Sequence, residues 1–157
     1  MELSPCEDMD LIKSILMDKA IYPHIIDDGC DEINPVFNDS MIWLVITENS
    51  QVCGAFMVHQ HNRATWEIHT CLLPVIWGKK AQIAAKLMSG WFFSQPLNLK
   101  LITNVPEMNK MAHMFSLRSG MMLEGVNRKS FLKDGALYDQ YVLGMTKEDW
   151  QCQQQFH

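Results

Sequence analysis

Glu67, His69 and Cys71 alternate with Trp66, Ile68 and Thr70 in the segment Thr65 to Leu72. In a β-strand successive side chains point to opposite faces, so the first three share one face and the second three the other. A carboxylate and an imidazole on one face suit proton transfer, and Glu67 and His69 are the candidates for a general base. If the chain reverses at Asn62-Arg63-Ala64, His59 falls near Glu67 and His61 near Thr65. His59, His61, Glu67 and His69 then share a face, and His and Glu are ligand types that zinc accepts. A slip of one residue would send every side chain to the other face, and the pattern reads as proton chemistry without a metal. Cys71 has no partner set that would make it a nucleophile and reads as a buried thiol.

A second chemical feature follows at once. Pro74 ends the strand, and Lys79 and Lys80 stand at the start of the next helix, directly after Gly78. Cations oppose the dipole at a helix N-terminus, where backbone N–H groups favour an anion. Two lysines there are consistent with a bound anionic group. A third feature is Asn109, which opens a later helix and is a good N-cap.

These residues need a scaffold. Ser4-Pro5 followed by Glu7 and Asp8 reads as a helix start, with Leu11, Ile12, Ile15 and Leu16 at helical spacing. Residues 30 to 40 read as loop or short helix broken by Pro35. Strands are expected over Met41–Thr47, Val52–His59 and Thr65–Leu72, then a helix over Lys79–Phe93 and a strand over Leu99–Asn104. A helix from Asn109 to Ser119 stops at Gly120 in the left-handed region. Short strands are expected at Met121–Leu123 and Arg128–Lys133, a tight turn at Asp134-Gly135, and a returning strand over Leu137–Met145 before an acidic C-terminus. A strand, a crossover helix and a further strand imply one parallel pair in an otherwise antiparallel sheet.

The chain has 157 residues, enough for one domain with a single core, expected to span 1–157. Its hydrophobic content of 48% and charged content of 20% are ordinary for a globular protein. A net charge of −5 without a basic stripe argues against nucleic acid as partner. No apolar run has the length a membrane helix needs. Five cysteines without a C-x-x-C pair suit reduced thiols, and the expected location is cytoplasmic.

The stretch from Asn109 to Trp150 contains N-x-x-A-x-x-F-S-x-x-S-G-M-x-x-E-G, then D-G-x-x-x-D-x-x-x-L, then E-D-W. This order resembles the C-terminal half of the GNAT superfamily of acyl-CoA-dependent N-acyltransferases. It is most similar to the branch that acetylates ribosomal-protein N-termini, and the likeness extends over roughly residues 41 to 150. The resemblance implies an α/β (α+β) fold: a mixed, mostly antiparallel sheet with splayed central parallel strands and flanking helices. It also implies acetyl-CoA as co-substrate and transfer of its acetyl group to a primary amine by direct attack in a ternary complex. The acceptor would be a small molecule or a protein N-terminus or lysine, and a homodimer is a possible assembly.

By the same resemblance Leu72, Leu73, Trp77, Gly78, Lys79, Lys80, Ala81 and Gln82 form the cofactor segment. Asn109 and Ala112 stand where the family contacts the pantetheine arm. The family pattern there is Q/R-x-x-G-x-G/A; aligned on Gly78, this chain has Trp77 in place of Arg, and Lys80 and Gln82 in place of small residues. Ser116 stands where many members carry a tyrosine that acts as general acid, which makes Ser116 the third catalytic candidate. The departures define an alternative: a catalytically inactive GNAT-like binding or assembly protein, of the kind found in phage and mobile elements.

Overall fold

A computed structural model describes residues Met1–Gln155; Phe156 and His157, inside the expected domain span, lie outside the described residues. The element order is β1 (Glu2–Pro5), α1 (Met9–Leu16), α2 (Tyr22–Ile25), β2 (Met41–Glu48), β3 (Gln51–Gln60), β4 (Thr65–Leu72), α3 (Lys79–Ser94), β5 (Lys100–Pro106), α4 (Lys110–Arg118), β6 (Met122–Lys133), β7 (Ala136–Thr146) and α5 (Lys147–Gln154). The sheet has seven strands in the order β1-β2-β3-β4-β5-β7-β6. It is mostly antiparallel, with β4 and β5 parallel, as the strand–helix–strand order implied. The chain folds as two compact units, and β4 passes from one to the other between Glu67 and Ile68.

The first unit comprises Met1–His59 and Ile68–Met88. Its core joins Ile12, Ile15 and Leu16 of α1 to Trp43, Val45, Ala55 and Cys71, the helical stripe anticipated from spacing. The helix begins later than Ser4-Pro5 suggested. Glu2–Pro5 instead pair with β2, from Glu2↔Thr47 to Pro5↔Leu44. Proline holds the residue before it extended and fits an edge strand. The cap is Asp8, whose carboxylate accepts the Leu11 N–H at 3.0 Å.

The second unit comprises Gln60–Glu67 and Ser89 onward. Its core carries an aromatic run: Trp66 meets Phe92 edge-on at 6.2 Å, Phe92 meets Phe93 at 5.0 Å, and Phe93 stacks on Trp150 at 5.6 Å. The parallel ladder is short, Thr65↔Lys100, Trp66↔Leu101 and Glu67↔Ile102. The two strands expected at Met121–Leu123 and Arg128–Lys133 are halves of one strand, β6, with irregularities between Leu123 and Gly125 and between Asn127 and Phe131. Lys129 lies at φ +52°, so the turn-like residues between the halves bulge the strand without ending it. Asp134 and Gly135 (φ +51° and +72°) make the expected two-residue turn, with Lys133 opposite Ala136. The acidic C-terminus is a further helix, α5. Thr146 and Asp149 form a reciprocal capping box that starts it.

Candidate functional site

In the first unit the cofactor segment is a strand end, a turn and a helix start. Leu72 closes β4, and the N–H of Leu73, just beyond it, donates to the Cys53 carbonyl at 2.9 Å. Gly54, at φ +139°, allows this approach: a Cβ there would overlap the Cys71 carbonyl oxygen and come within 2.8 Å of the Leu72 Cα. Pro74–Ile76 form a single 3₁₀ turn. The Trp77 indole Nε1–H then folds back and donates to the Leu72 carbonyl at 2.8 Å. Gly78 takes φ +83° with open space around it, and the 16-residue α3 begins at the next residue. The first N–H groups of a helix have no intrahelical partner, so the local backbone suits an anion. Lys79 is exposed, and Ala81 is buried against the unit's interior. Lys80 Nζ donates to Glu48 Oε2 at 2.5 Å, and that bond holds the ammonium above its usual lysine range. Gln82 N–H returns to the Gly78 carbonyl at 3.4 Å.

His69 and Cys71 are also in this unit. His69 is exposed, and its ring stacks on His59 at 5.3 Å. Cys71 is buried, and burial pushes its thiol up to about 12, which leaves it protonated and inert.

In the second unit Glu67 is buried, 7% exposed. Its Oε2 accepts from His61 Nε2 at 2.8 Å, and its Oε1 accepts from Asn104 Nδ2 at 3.0 Å. The hairpin places His61 as its spacing implied, with the His61 N–H on the Thr65 carbonyl at 2.9 Å. Asn104 was not among the sequence candidates. The available signal was a lone amide between Thr103 and Val105 in the strand Leu101 to Val105, where every other residue is apolar or β-branched.

In α4, Asn109 Oδ1 accepts the Ala112 N–H at 3.1 Å, so Asn109 caps the helix and its Nδ2 donors are not needed for that bond. Ser116 is buried, and its hydroxyl donates to the Ala112 carbonyl at 3.0 Å. His113 stacks on Tyr141 of β7 at 4.5 Å.

No family model matches the chain, and no curated protein does. Solved structures do. The spermidine N-acetyltransferase of Vibrio cholerae, in complex with CoA and spermine, superposes with a TM-score of 0.78 at 15% identity, covering 96% of this chain and 97% of that one. A probable acetyltransferase of the GNAT family from Chromobacterium violaceum gives a TM-score of 0.74 at 16% identity over 95% of this chain and 84% of that one. The microcin C7 self-immunity acetyltransferase, in complex with acetyl-CoA and AMP, gives 0.62 at 22% identity over 69% of this chain and 62% of that one. At these identities the likeness is one of architecture, and it agrees with the strand order and the single parallel pair: the chain has the fold of the GNAT acetyltransferases.

Proposed function

We propose that the protein is an acetyl-CoA-dependent N-acetyltransferase acting on a primary amine in a ternary complex, with Glu67 as general base. The observation that carries this is a buried carboxylate on β4 of a GNAT fold, anchored by the His61 and Asn104 side chains. In the reaction the amine nitrogen attacks the thioester carbonyl carbon. The C–N bond forms, the C–S bond breaks, and the thiolate leaves with the electron pair. An ammonium substrate gives up two protons in becoming the amide N–H: a base must take one, and the other ends on the departing thiolate to give the free thiol. His69 is the second candidate for that role. Ser116 is assigned none, because its hydroxyl proton is directed at the Ala112 carbonyl inside α4.

Cofactor binding rests on the first unit, where Gly78 and the start of α3 suit an anion, with Lys79 and Lys80 beside it. Asn109 keeps its amide N–H groups for the pantetheine arm in this reading. The two units are taken as parts of one acyltransferase domain. The acceptor is a cationic amine: 11 of the 18 acidic residues but only two of the 13 cations lie in the first 50 residues. That acidity favours an oppositely charged substrate.

A non-catalytic binding or assembly role is the second reading. It is favoured by the Trp77 bond to the Leu72 carbonyl and the Lys80–Glu48 pair, which engage two groups of the cofactor segment within the protein itself. Release of free thiol from acetyl-CoA in the presence of a polyamine or basic-peptide panel separates the two. Amine-dependent release supports the enzyme. Its absence across the panel, with acetyl-CoA failing to raise the melting temperature, supports the second reading.

A further inference from the structure

We infer that His61 and Asn104 are positioning residues for Glu67, together forming a two-point hydrogen-bond clamp that fixes the carboxylate for proton transfer. The inference rests on the proposed role of Glu67 as base and adds two residues to it.

The geometry assigns one donor to each carboxylate oxygen. His61 Nε2–H reaches Oε2 at 2.8 Å from the hairpin before β4, and Asn104 Nδ2–H reaches Oε1 at 3.0 Å from β5. A glutamate side chain has two torsions beyond χ1, the last of which turns the carboxyl plane; anchoring both oxygens removes that rotation.

The anchors come from differently constrained places. Asn104 lies beyond the three-residue parallel ladder that ends at Glu67↔Ile102, in a stretch of β5 whose backbone is held by β7 through Asn104↔Val142. Its amide is thus set by the sheet. His61 sits on a turn whose ends are tied by the His61 and Asn62 N–H groups to the Thr65 carbonyl, with Asn62 Oδ1 accepting from the Ala64 and Thr65 N–H groups. The imidazole is 37% exposed while the Glu67 side chain is 10% exposed. A buried acid joined to a half-exposed ring by one hydrogen bond is an arrangement that core packing alone does not require. Alignment of a base to within a fraction of an ångström is worth large factors in rate.

The test is steady-state kinetics on the full chain with acetyl-CoA and an amine acceptor, for His61→Phe, His61→Gln, Asn104→Ala and Glu67→Gln. His61 is exposed, so its variants do not endanger folding, and melting temperatures control for Asn104→Ala. The clamp predicts that His61→Phe and Asn104→Ala each lower kcat about tenfold or more with KM for acetyl-CoA unchanged. It also predicts that His61→Gln recovers most of the loss, since its amide N–H can replace the imidazole donor. Glu67→Gln inactive beside fully active His61→Phe and Asn104→Ala would overturn the clamp and leave Glu67 as base. His61→Gln as impaired as His61→Phe would overturn it at His61, because the ring and not its hydrogen bond would then matter. A fully active Glu67→Gln would remove the base assignment itself.

Discussion

Segments 54–59 and 68–82 of the first unit and segments 60–67 and 104–155 of the second differ in what holds their candidate groups. In the first, the segment assigned to the cofactor is closed on itself. Trp77 caps the Leu72 carbonyl, Leu73 is tied to Cys53, and Lys80 is paired with Glu48. In the second, internal bonds hold the candidate groups in place. Asn109 caps α4 through its oxygen alone, and the Glu67 carboxylate takes one anchor on each oxygen. Internal bonds in the second stretch orient groups for further contacts, whereas in the first they compete with the ligand the segment would bind.

The largest expected effect falls on the second stretch. Glu67→Gln keeps shape but turns one acceptor oxygen into an amide donor and removes the base, and should lower kcat by roughly 10² to 10⁴ while acetyl-CoA affinity stays unchanged. Stopped-assay turnover beside a binding titration reads both. A parallel loss of affinity would show that Glu67 holds the fold of the site and not the proton.

On the first stretch the corresponding break is Gly54→Ala. The added methyl meets backbone at Cys71 and Leu72, which cannot swing aside, and the residue lies at φ +139°. Unfolding in urea should show a loss of about 3 kcal/mol. A loss within experimental scatter would mean that β3 and β4 can separate there without consequence.

Asn109→Asp sharpens the contrast. Asp caps helices as well as Asn does, so thermal stability without ligand should hold. Acetyl-CoA affinity should weaken severalfold, because a donor becomes an acceptor-only carboxylate. Unchanged affinity would reduce Asn109 to its cap.

The smallest effect belongs to the end of the chain. Thr146→Ala should cost about 1 kcal/mol by removing the α5 cap. Hydrogen bonds from the Thr146 hydroxyl and N–H hold the Asp149 carboxyl below its usual range. A carboxyl depressed in the folded state contributes stability above its unfolded pKa, and this is lost as pH falls through the folded value. Acid titration of wild type should therefore lose a stabilising increment that is smaller in Thr146→Ala, which keeps only the backbone N–H bond to Asp149.

How much could be read beforehand follows the same divide. The C-terminal stretch was legible because its signals are local: Asn109 and Gly120 at the ends of α4, and Asp134-Gly135 at the hairpin. The same kind of signal was present in Thr146 to Asp149 and went unread, so α5 appeared only as an acidic tail. Ser4-Pro5 misled in the opposite sense. A helix-start motif and an edge strand ending in proline look alike until β2 supplies the pairing partner. β6 appeared as two strands because a bulge and a turn use the same residues. Strand alternation made the face that carries Glu67 legible, whereas the hydrogen bond of the His61 ring to Glu67 was not read from the spacing, which set His59 beside Glu67 and His61 beside Thr65. Asn104 comes from 37 residues away along the chain, and no local pattern links it to Glu67. The Trp77 bond to Leu72 depends on one side-chain rotamer and has no sequence signature.

The central claim is that this GNAT fold still binds and uses acetyl-CoA despite its atypical segment. Calorimetric titration of the protein with acetyl-CoA, alongside a variant with Lys79 and Lys80 both changed to Glu, tests it most directly. The account predicts saturable binding with a dissociation constant below about 1 mM, or more than roughly 4 kcal/mol. It predicts that the double variant loses that binding while remaining folded in the absence of ligand, its melting temperature reading separately the loss of the Lys80–Glu48 pair. Absence of binding heat for the wild type at millimolar acetyl-CoA would contradict the account and leave the non-catalytic role in its place.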